Sequence, residues 1–231
     1  MGLRVSREAF REQMQLLDTA GYRVVPLMRM LEAAPPAEGS REPRETVPRE
    51  VALTFDDGYR SEMLAADTLK EFGFTATFFV VPRFLDGVQQ PGHYWEHWPH
   101  MNWDDLRPLV EAGFEIGAHS MTHPDLTECD SGRLMDEVAG AKALLERRLG
   151  REIVSFSYPH GRHNSHVREA AGRAGYRLAC TSRYGLNKTT GTAAPRYDVA
   201  RTEVTGTDRL ADFRRKLQGR YDWLARWQDL K

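Results

Sequence analysis

The chain has 231 residues, of which 41% are hydrophobic and 28% are charged. This composition predicts a globular domain with a sizeable core, and it excludes collagen, intrinsic disorder and a small disulfide scaffold. The formal net charge of −1, with no block of like charges, argues against nucleic acid as a partner. The two cysteines, Cys129 and Cys180, have a spacing typical of neither zinc-ribbon nor redox motifs.

The first 49 residues predict an extension, 1–49, packed on a main domain that we expect over 50–231. Ser6 is placed to cap a helix and Gly21 to end it. The elements predicted in chain order are a helix over 7–20, a strand over 22–26, a short helix over 27–33 and a proline-rich loop over 34–49.

After that loop, compact apolar runs alternate with helical segments, which is the pattern of an α/β fold with a parallel sheet. The predicted strands are 51–55, 75–81, 114–118, 153–157 and 178–181, and the predicted helices are about 60–71, 103–112, 131–149 and 164–174. The tail, 208–231, carries one apolar stripe and predicts a docked terminal helix that could break at Gly219. A membrane-surface helix is the alternative, and the acidic Asp212, Asp222 and Asp229 argue against it.

The N-terminus carries charge where a secretory signal peptide needs an apolar run, and no stretch of about 20 apolar residues occurs. The sequence therefore predicts no transmembrane segment and no export signal, which favours a cytoplasmic location. This expectation applies to the sequence as written, because an additional N-terminal segment would change it.

Polar residues follow three of the predicted strands. Asp56 and Asp57 end the first strand, and because successive strand side chains diverge, we expect the two carboxylates to do different work. His119 and His123 follow the third strand at a spacing that lets two imidazoles share a metal ion. Pro124 favours a loop over a helix at this point.

A third cluster, Tyr158–Gly161, follows the strand over 153–157, where a proline and a glycine fix a turn that can aim an amide N–H at an oxyanion. The carboxyl ends of parallel strands meet at one edge of a sheet, so the three clusters should converge. Two histidines and one carboxylate make a three-ligand metal site, which leaves the other carboxylate as a general base. From the residues alone, either Asp56 or Asp57 could be the ligand.

In this order and spacing the clusters resemble the first three motifs of the polysaccharide deacetylase family, the NodB-homology or carbohydrate esterase family 4 domain. The stretch from Met101 to Thr127 is similar to that family throughout, and the resemblance covers roughly Val51 to Arg201. It implies a distorted (β/α)7-type barrel. It also implies a metal-dependent hydrolase that removes N-acetyl groups from an amino-sugar polysaccharide, oligosaccharide or glycoconjugate.

Carried over residue by residue, the resemblance implies that Asp57, His119 and His123 ligate a divalent metal ion. Zinc is expected, with cobalt, nickel or iron as alternatives, because sites of two histidines and a carboxylate accept several borderline ions. The resemblance further implies that Asp56 is the base that takes a proton from the attacking water. The backbone N–H of His160 would help to hold the oxyanion.

Two positions depart from the family pattern. Ser157 stands where many members have an arginine that orients the base, and Arg162 is nearby in the sequence. Many members also end with a strand whose histidine protonates the leaving amine, whereas the corresponding stretch here, Val199–Val204, has none. His160 is therefore the candidate general acid, and Glu203 is the second candidate.

The stretch His93–Trp103 is rich in tryptophan and histidine. It predicts either a substrate lid, because aromatic faces stack on sugar rings, or a loop packed by its own tryptophans. We expect Trp98 from this stretch, together with Tyr158 and Pro159, to contact the substrate.

Two other functions remain open at this point. One is an amidohydrolase that acts on a non-sugar amide or formyl group, and the other is a catalytically silent carbohydrate-binding domain. The presence of both Asp56 and Asp57 argues against the silent domain, because a binding module needs no spare carboxylate.

Overall fold

The computed structural model describes residues 4–32, 49–88, 98–187 and 196–225, and its central feature is a curled parallel sheet. Five strands form this sheet in the order in which they occur in the chain. They are β3 (Thr54–Phe55), β4 (Thr77–Val80), β5 (Glu115–Ala118), β6 (Ser155–Ser157) and β7 (Leu178–Cys180). Each is parallel to its neighbour, so all five carboxyl ends lie at one edge.

A second, two-stranded parallel sheet joins β1 (Tyr22–Val24) to β2 (Arg49–Val51). The sequence predicts one strand over 51–55, whereas the structure divides this segment between the two sheets. Residues up to Val51 pair with β1, and Thr54 and Phe55 pair with β4. The split follows from the change of partner, because one extended segment passes from the edge of one sheet to the edge of the other.

Helices fill most of the connections between strands, as the expected α/β class requires. They are α1 (Arg7–Thr19), α2 (Arg29–Glu32), α3 (Glu62–Glu71), α4 (Pro82–Leu85), α5 (Trp103–Glu111), α6 (Ser131–Met135), α7 (Ala141–Leu149), α8 (Ser165–Arg173) and α9 (Leu210–Leu217). Ser6 caps α1 through its side chain, as predicted. Among the described residues, no helix is both long enough and apolar enough to cross a bilayer.

The helix expected over 131–149 is interrupted by one π-helical turn, Asp136–Gly140, between α6 and α7. Periodicity could not reveal this turn, because one extra residue in a turn leaves the apolar pattern nearly intact. The turn carries the buried Glu137, whose side chain is only 5% exposed.

The terminal helix breaks near Gly219, where the sequence allowed a break. Of the segment predicted over 208–231, α9 ends at Leu217 and a 3-10 turn follows at Asp222–Leu224. Gly219 stops the helix with a φ of +70°, a left-handed conformation that glycine adopts without strain. Phe213 is buried in the same core as the α1 residues, so α9 is docked as expected. Residues 226–231 and residues 33–48, which include most of the predicted loop, lie outside the described part.

Gly117 in β5 is a sensitive packing position. A Cβ built there would lie 2.4 Å from the Phe79 ring and 2.7 Å from Ser155 Oγ. We predict that Gly117→Ala lowers the free energy of unfolding by about 1–3 kcal/mol, because the buried neighbours have no space to move into. Chemical denaturation of the purified chain measures this change.

Gly132→Ala is the matched control. Gly132 lies in α6 and its Cβ would meet only Asp130 Oδ1, at 3.4 Å, so alanine should be neutral or stabilise the helix by about 0.5–1 kcal/mol. Equal unfolding free energies for the two variants would contradict the packing argument.

Candidate active site

Three strand ends supply the polar side chains of the site. Asp56 and Asp57 follow β3, His119 follows β5, and Ser157 is the last residue of β6. These strands lie parallel in one sheet, so the turns after them meet at its carboxyl edge. The convergence that the sequence predicts for the three clusters is therefore present in the fold.

Asp57, His119 and His123 form a compact cluster of possible ligands. Oδ1 of Asp57 lies 3.4 Å from Nε2 of His119 and 3.3 Å from Nε2 of His123. One ligand atom from each residue falls within 4.8 Å of the others. Two atoms bound to one tetrahedral zinc ion at about 2.0–2.2 Å lie about 3.3–3.6 Å apart. The two distances from Asp57 match this spacing, and one carboxylate with two imidazoles is a donor set that zinc accepts.

The two histidines present their Nε2 atoms to this cluster. Nδ1 of His119 lies 2.7 Å from the carbonyl oxygen of Ser157. Because a carbonyl oxygen only accepts, Nδ1 carries the proton and donates, which orients Nε2 towards Asp57. Hydrogen bonding of one ring nitrogen to a backbone carbonyl is typical of histidines that ligate metals through the other nitrogen.

Burial and neighbouring charges shift the pKa values of His119 and His123 in opposite directions. Burial lowers the pKa of His123 to about 3, and the charge on His119 adds to this effect, so His123 is a neutral imidazole that can act as a ligand. Burial would also lower the pKa of His119, but the charges on Asp56 and Asp57 outweigh it and raise that pKa. A positive charge is thus favoured within this group of carboxylates.

The backbone around the site is bent in an unusual way. In the described residues, the non-glycine residues with positive φ are Asp57 (77°), Ser120 (60°), His123 (63°) and His160 (59°). Left-handed backbone is uncommon outside glycine and costs about 1–3 kcal/mol per residue, so it persists only where the surroundings hold it. All four residues belong to the turns after β3, β5 and β6.

Asp56 does not join this ligand cluster and instead pairs with Arg201. Nη1 of Arg201 donates to Oδ1 of Asp56 at 2.7 Å, and Nη2 donates to Oδ2 at 2.7 Å. Ser157 Oγ donates to the same carboxylate at 3.2 Å. Nε of Arg201 donates to the carbonyl oxygen of Thr181, and Nη1 reaches Thr54 Oγ1 at 3.2 Å, so the guanidinium itself is held in place.

This pair determines the charge state of Asp56. Burial alone would raise the pKa of Asp56, but the Arg201 guanidinium and His119, with hydrogen bonds from Arg201 and Ser157, hold that pKa well below its usual range. Asp56 is therefore ionised at neutral pH and able to accept a proton. The environment separates the two adjacent carboxylates, as the sequence predicts.

Arg201 is the site residue that sequence reasoning missed. The resemblance directs attention to Ser157 and Arg162 as positions for an arginine, but Arg162 donates to Asp125 Oδ2 at 2.7 Å instead. Arg201 follows Val199, which forms a parallel bridge with Cys180 of β7. The available signal was an arginine within an apolar late stretch, at the sheet edge where the other polar residues gather.

The site opens into a cleft of about 1530 Å³ lined by Asp56, Asp57, His160 and Trp98. His160 is exposed, and its ring centroid lies 4.7 Å from that of His123. Burial, followed by the charge on His119, lowers the pKa of His160. Trp98 is half-buried and packs edge-on against Tyr59, at 5.5 Å between ring centroids. The two residues assigned to the cleft from sequence, His160 and Trp98, therefore lie there.

Of the other assigned residues, Tyr158 and Pro159 are buried, whereas Glu203 lies at the cleft. Tyr158 is fully buried and its hydroxyl donates to the carbonyl oxygen of Tyr197, so the structure places its side chain in the core rather than at the cleft. Pro159 is also buried. Glu203 lines the cleft with an exposed side chain. Residues 93–97 of the predicted lid lie outside the described part, so the lid stays a prediction.

Residues 44–179 match the family model described as polysaccharide deacetylase, which is more than half of the chain. Among curated proteins, the peptidoglycan-N-acetylglucosamine deacetylase PgdA of Listeria monocytogenes is 28% identical over 132 residues, covering 56% of this chain and 25% of that protein. A chitooligosaccharide deacetylase of Rhizobium leguminosarum bv. trifolii is 31% identical over 131 residues, covering 56% of this chain and 54% of that protein. The chain thus spans about a quarter to a half of these relatives.

Solved structures share the fold over almost the whole chain. The Streptococcus pyogenes deacetylase PplD, in complex with acetate, matches with a TM-score of 0.76 at 20% identity, covering 93% of this chain and 88% of that one. IcaB from Ammonifex degensii matches with a TM-score of 0.70 at 26% identity, covering 93% of this chain and 90% of that one. The expected α/β barrel-type architecture is confirmed.

We predict that Arg201→Met lowers kcat by about 100-fold, because Asp56 loses the two hydrogen bonds from Arg201 that orient it. Burial then acts on Asp56 without the guanidinium, so its pKa rises. A base must be ionised to act, and the acid limb of the kcat/KM profile should therefore move to higher pH. Steady-state kinetics across pH measure both changes.

Arg162→Met is the matched control, because Arg162 pairs with Asp125 rather than with Asp56. Its kcat and its acid limb should stay close to those of the unmodified chain. If Arg162→Met lost as much activity as Arg201→Met, the assignment of Arg201 as the partner of the base would be wrong.

Proposed function

Because the chain belongs to the polysaccharide deacetylase family, we propose that it hydrolyses N-acetyl groups on amino-sugar residues of a glycan. The observation that carries the proposal is that two adjacent carboxylates at one sheet edge have different surroundings. Asp57 lies with two imidazoles in a metal-ligand arrangement, and Asp56 lies beside it as an ionised, oriented base. A bound cation that polarises the amide and a base that takes a proton from water together provide one route to amide hydrolysis.

Asp57, His119 and His123 would hold the divalent cation, and zinc is the proposed ion, with cobalt, nickel or iron as alternatives. Such a cation, when bound, polarises an acetyl carbonyl and lowers the pKa of water. The chain's own contribution is the geometry of the ligands. Nδ1 of His119 is anchored on Ser157, and His123 is kept neutral by burial.

Asp56 takes the proton from the attacking water. Its two oxygens are fixed by the bidentate contact with Arg201, so the carboxylate cannot rotate away from the cleft. General-base assistance of this kind contributes about 10²–10⁴-fold to a rate. The low pKa of Asp56 keeps the base ionised over the whole physiological range.

His160 is the proposed donor to the tetrahedral intermediate and to the leaving amine. Its left-handed backbone, at φ 59°, turns residue 160 towards the cleft beside His123. The backbone N–H is the proposed oxyanion donor, and the exposed imidazole is the proposed proton donor. Partial desolvation, followed by the charge on His119, lowers the pKa of this imidazole.

An open cleft supports a glycan as the substrate rather than a small amide. The cleft extends past Trp98 and Tyr59 to the first residues of α1, which leaves room for more than one sugar unit. Aromatic faces such as that of Trp98 are suited to stacking on pyranose rings. The oriented Asp56–Arg201 pair favours an enzyme over the silent binding domain.

Acetate release from N-acetylglucosamine oligomers, together with metal analysis, tests the proposal. Bound metal with acetate release supports it. Bound metal with no release from any glycan would favour the amidohydrolase that acts on other amides, and no bound metal would favour the silent domain.

Asp56→Asn should bind metal as tightly as the unmodified chain and should lower kcat by about 10²–10⁴-fold, because asparagine cannot accept the proton. Asp57→Asn should instead weaken metal binding. Calorimetric metal titration and acetate release, measured on the same preparations, separate the two roles.

Asp67→Asn, at an exposed carboxylate of α3 paired with Lys70, serves as the control and should change neither property. Full activity of Asp56→Asn would refute Asp56 as the base.

Trp98→Ala should raise KM for a chitooligosaccharide about fivefold and leave kcat nearly unchanged, because stacking binds substrate and transition state alike. Trp223→Ala, at a side chain 57% exposed beyond α9, is the control. A KM unaffected by Trp98→Ala would show that this ring does not contact the sugar.

A further inference from the structure

The buried carboxylate of Glu137 has no part in the scheme above, yet it lies against the loop that carries the two histidines. Glu137 sits in the π-helical turn between α6 and α7 and is 5% exposed. A carboxylate at such depth is costly unless several donors satisfy it. Single π turns of this kind occur often at functional sites.

The donors that satisfy Glu137 all come from two adjacent residues. Oε2 accepts the backbone N–H of Met121 at 3.0 Å and that of Thr122 at 2.8 Å. Oε1 accepts the hydroxyl of Thr122 at 2.5 Å. Met121 and Thr122 lie midway between His119 and His123, so one side chain holds the centre of the loop that joins two proposed ligands.

This loop needs such support because its backbone is strained. Ser120 and His123 both adopt left-handed backbone, at φ 60° and 63°. Inside the loop, Ser120 Oγ accepts the N–H of His123 at 2.9 Å. On its outer side, the carbonyl oxygen of Met121 accepts the N–H of Arg83 at 3.2 Å. Without Glu137, two adjacent N–H groups would lose their acceptor, and the loop could relax to an ordinary conformation.

We propose that Glu137 is a positioning residue for the metal site. Through its hydrogen bonds with Met121 and Thr122, it sets the separation and direction of the His119 and His123 imidazoles. The proposal rests on the proposed metal site. It explains why a charged residue is buried in a π turn at a distance from the reacting groups. Partners that orient metal ligands typically contribute about 10–100-fold to metal affinity.

Three substitutions at this position separate positioning from simple stability. Glu137→Gln keeps an acceptor for both N–H groups, and its amide can donate to the Thr122 hydroxyl, so it should bind metal nearly normally. Glu137→Asp is one methylene shorter and withdraws the carboxylate from the loop. Glu137→Ala removes the acceptor and leaves the loop unsupported.

Glu115 provides the matched control, as a second partly buried carboxylate that accepts hydroxyl groups. Its oxygens accept Ser155 Oγ and Thr77 Oγ1, at the amino-terminal end of β5. Four residues of strand, about 13 Å, separate Glu115 from His119. Glu115→Ala should therefore destabilise the fold without changing metal affinity.

The experiment is a cobalt(II) titration of the full chain after chelator treatment, followed by calorimetry and by the visible absorption of the bound ion. Relative to the unmodified chain, we expect affinity to fall at least about tenfold in Glu137→Ala, to fall less in Glu137→Asp and to stay within about threefold in Glu137→Gln. The absorption bands of bound cobalt should shift in Glu137→Ala and Glu137→Asp. Circular dichroism and thermal melts confirm that each variant is folded.

Each outcome decides a different question. Unchanged affinity and absorption in a folded Glu137→Ala or Glu137→Asp variant would overturn the positioning role, as would an equal loss of affinity in Glu115→Ala. A chain that binds cobalt with the expected ranking but releases no acetate from glycans would overturn the proposed function alone. A wild-type chain that binds no cobalt would overturn both.

Discussion

Left-handed backbone at the carboxyl edge of the sheet is the constraint on which the site depends. Asp57, Ser120, His123 and His160 bend in this way immediately after three parallel strands. These bends lie in the turns after β3, β5 and β6, where Asp57, His119 and His123 come together. The strain of about 1–3 kcal/mol per residue persists because the surroundings hold each turn, as Ser120 Oγ does for the N–H of His123. The site is therefore preorganised by the fold.

Two adjacent carboxylates receive opposite environments from this arrangement. Asp57 faces two imidazole nitrogens at 3.3–3.4 Å, whereas Asp56 faces a guanidinium and a hydroxyl. The divergence of successive side chains after a strand makes the separation possible. Arg201 reaches Asp56 from a segment 145 residues away, so the proposed base and its partner come from distant parts of the chain. The surroundings of Asp57 thus suit a metal ligand, and those of Asp56 suit a proton acceptor.

The sequence was informative wherever chemistry and spacing coincide. The strand ends and a site built from His119, His123 and one of the two aspartates could be predicted, because polar residues directly after apolar strands must meet at one edge. The choice of Asp57 as the ligand and Asp56 as the base came only from the resemblance to the polysaccharide deacetylase family. Arg201 could not be predicted, since its contact depends on a tertiary pairing beside β7. The burial of Tyr158 was also hidden, because a tyrosine in a polar motif can face either the core or the cleft. The early end of α9 at Leu217 reflects one glycine overriding a continuous apolar stripe.

The central claim is that Asp57, His119 and His123 bind one divalent cation beside a free Asp56. A crystal grown with zinc, with anomalous data collected on both sides of the zinc absorption edge, tests this claim most directly. The account predicts one strong anomalous peak about 2.0–2.2 Å from Oδ1 of Asp57 and from both Nε2 atoms, with Asp56 still paired to Arg201. A peak at another site, or bonds from zinc to Asp56 instead of Asp57, would contradict it.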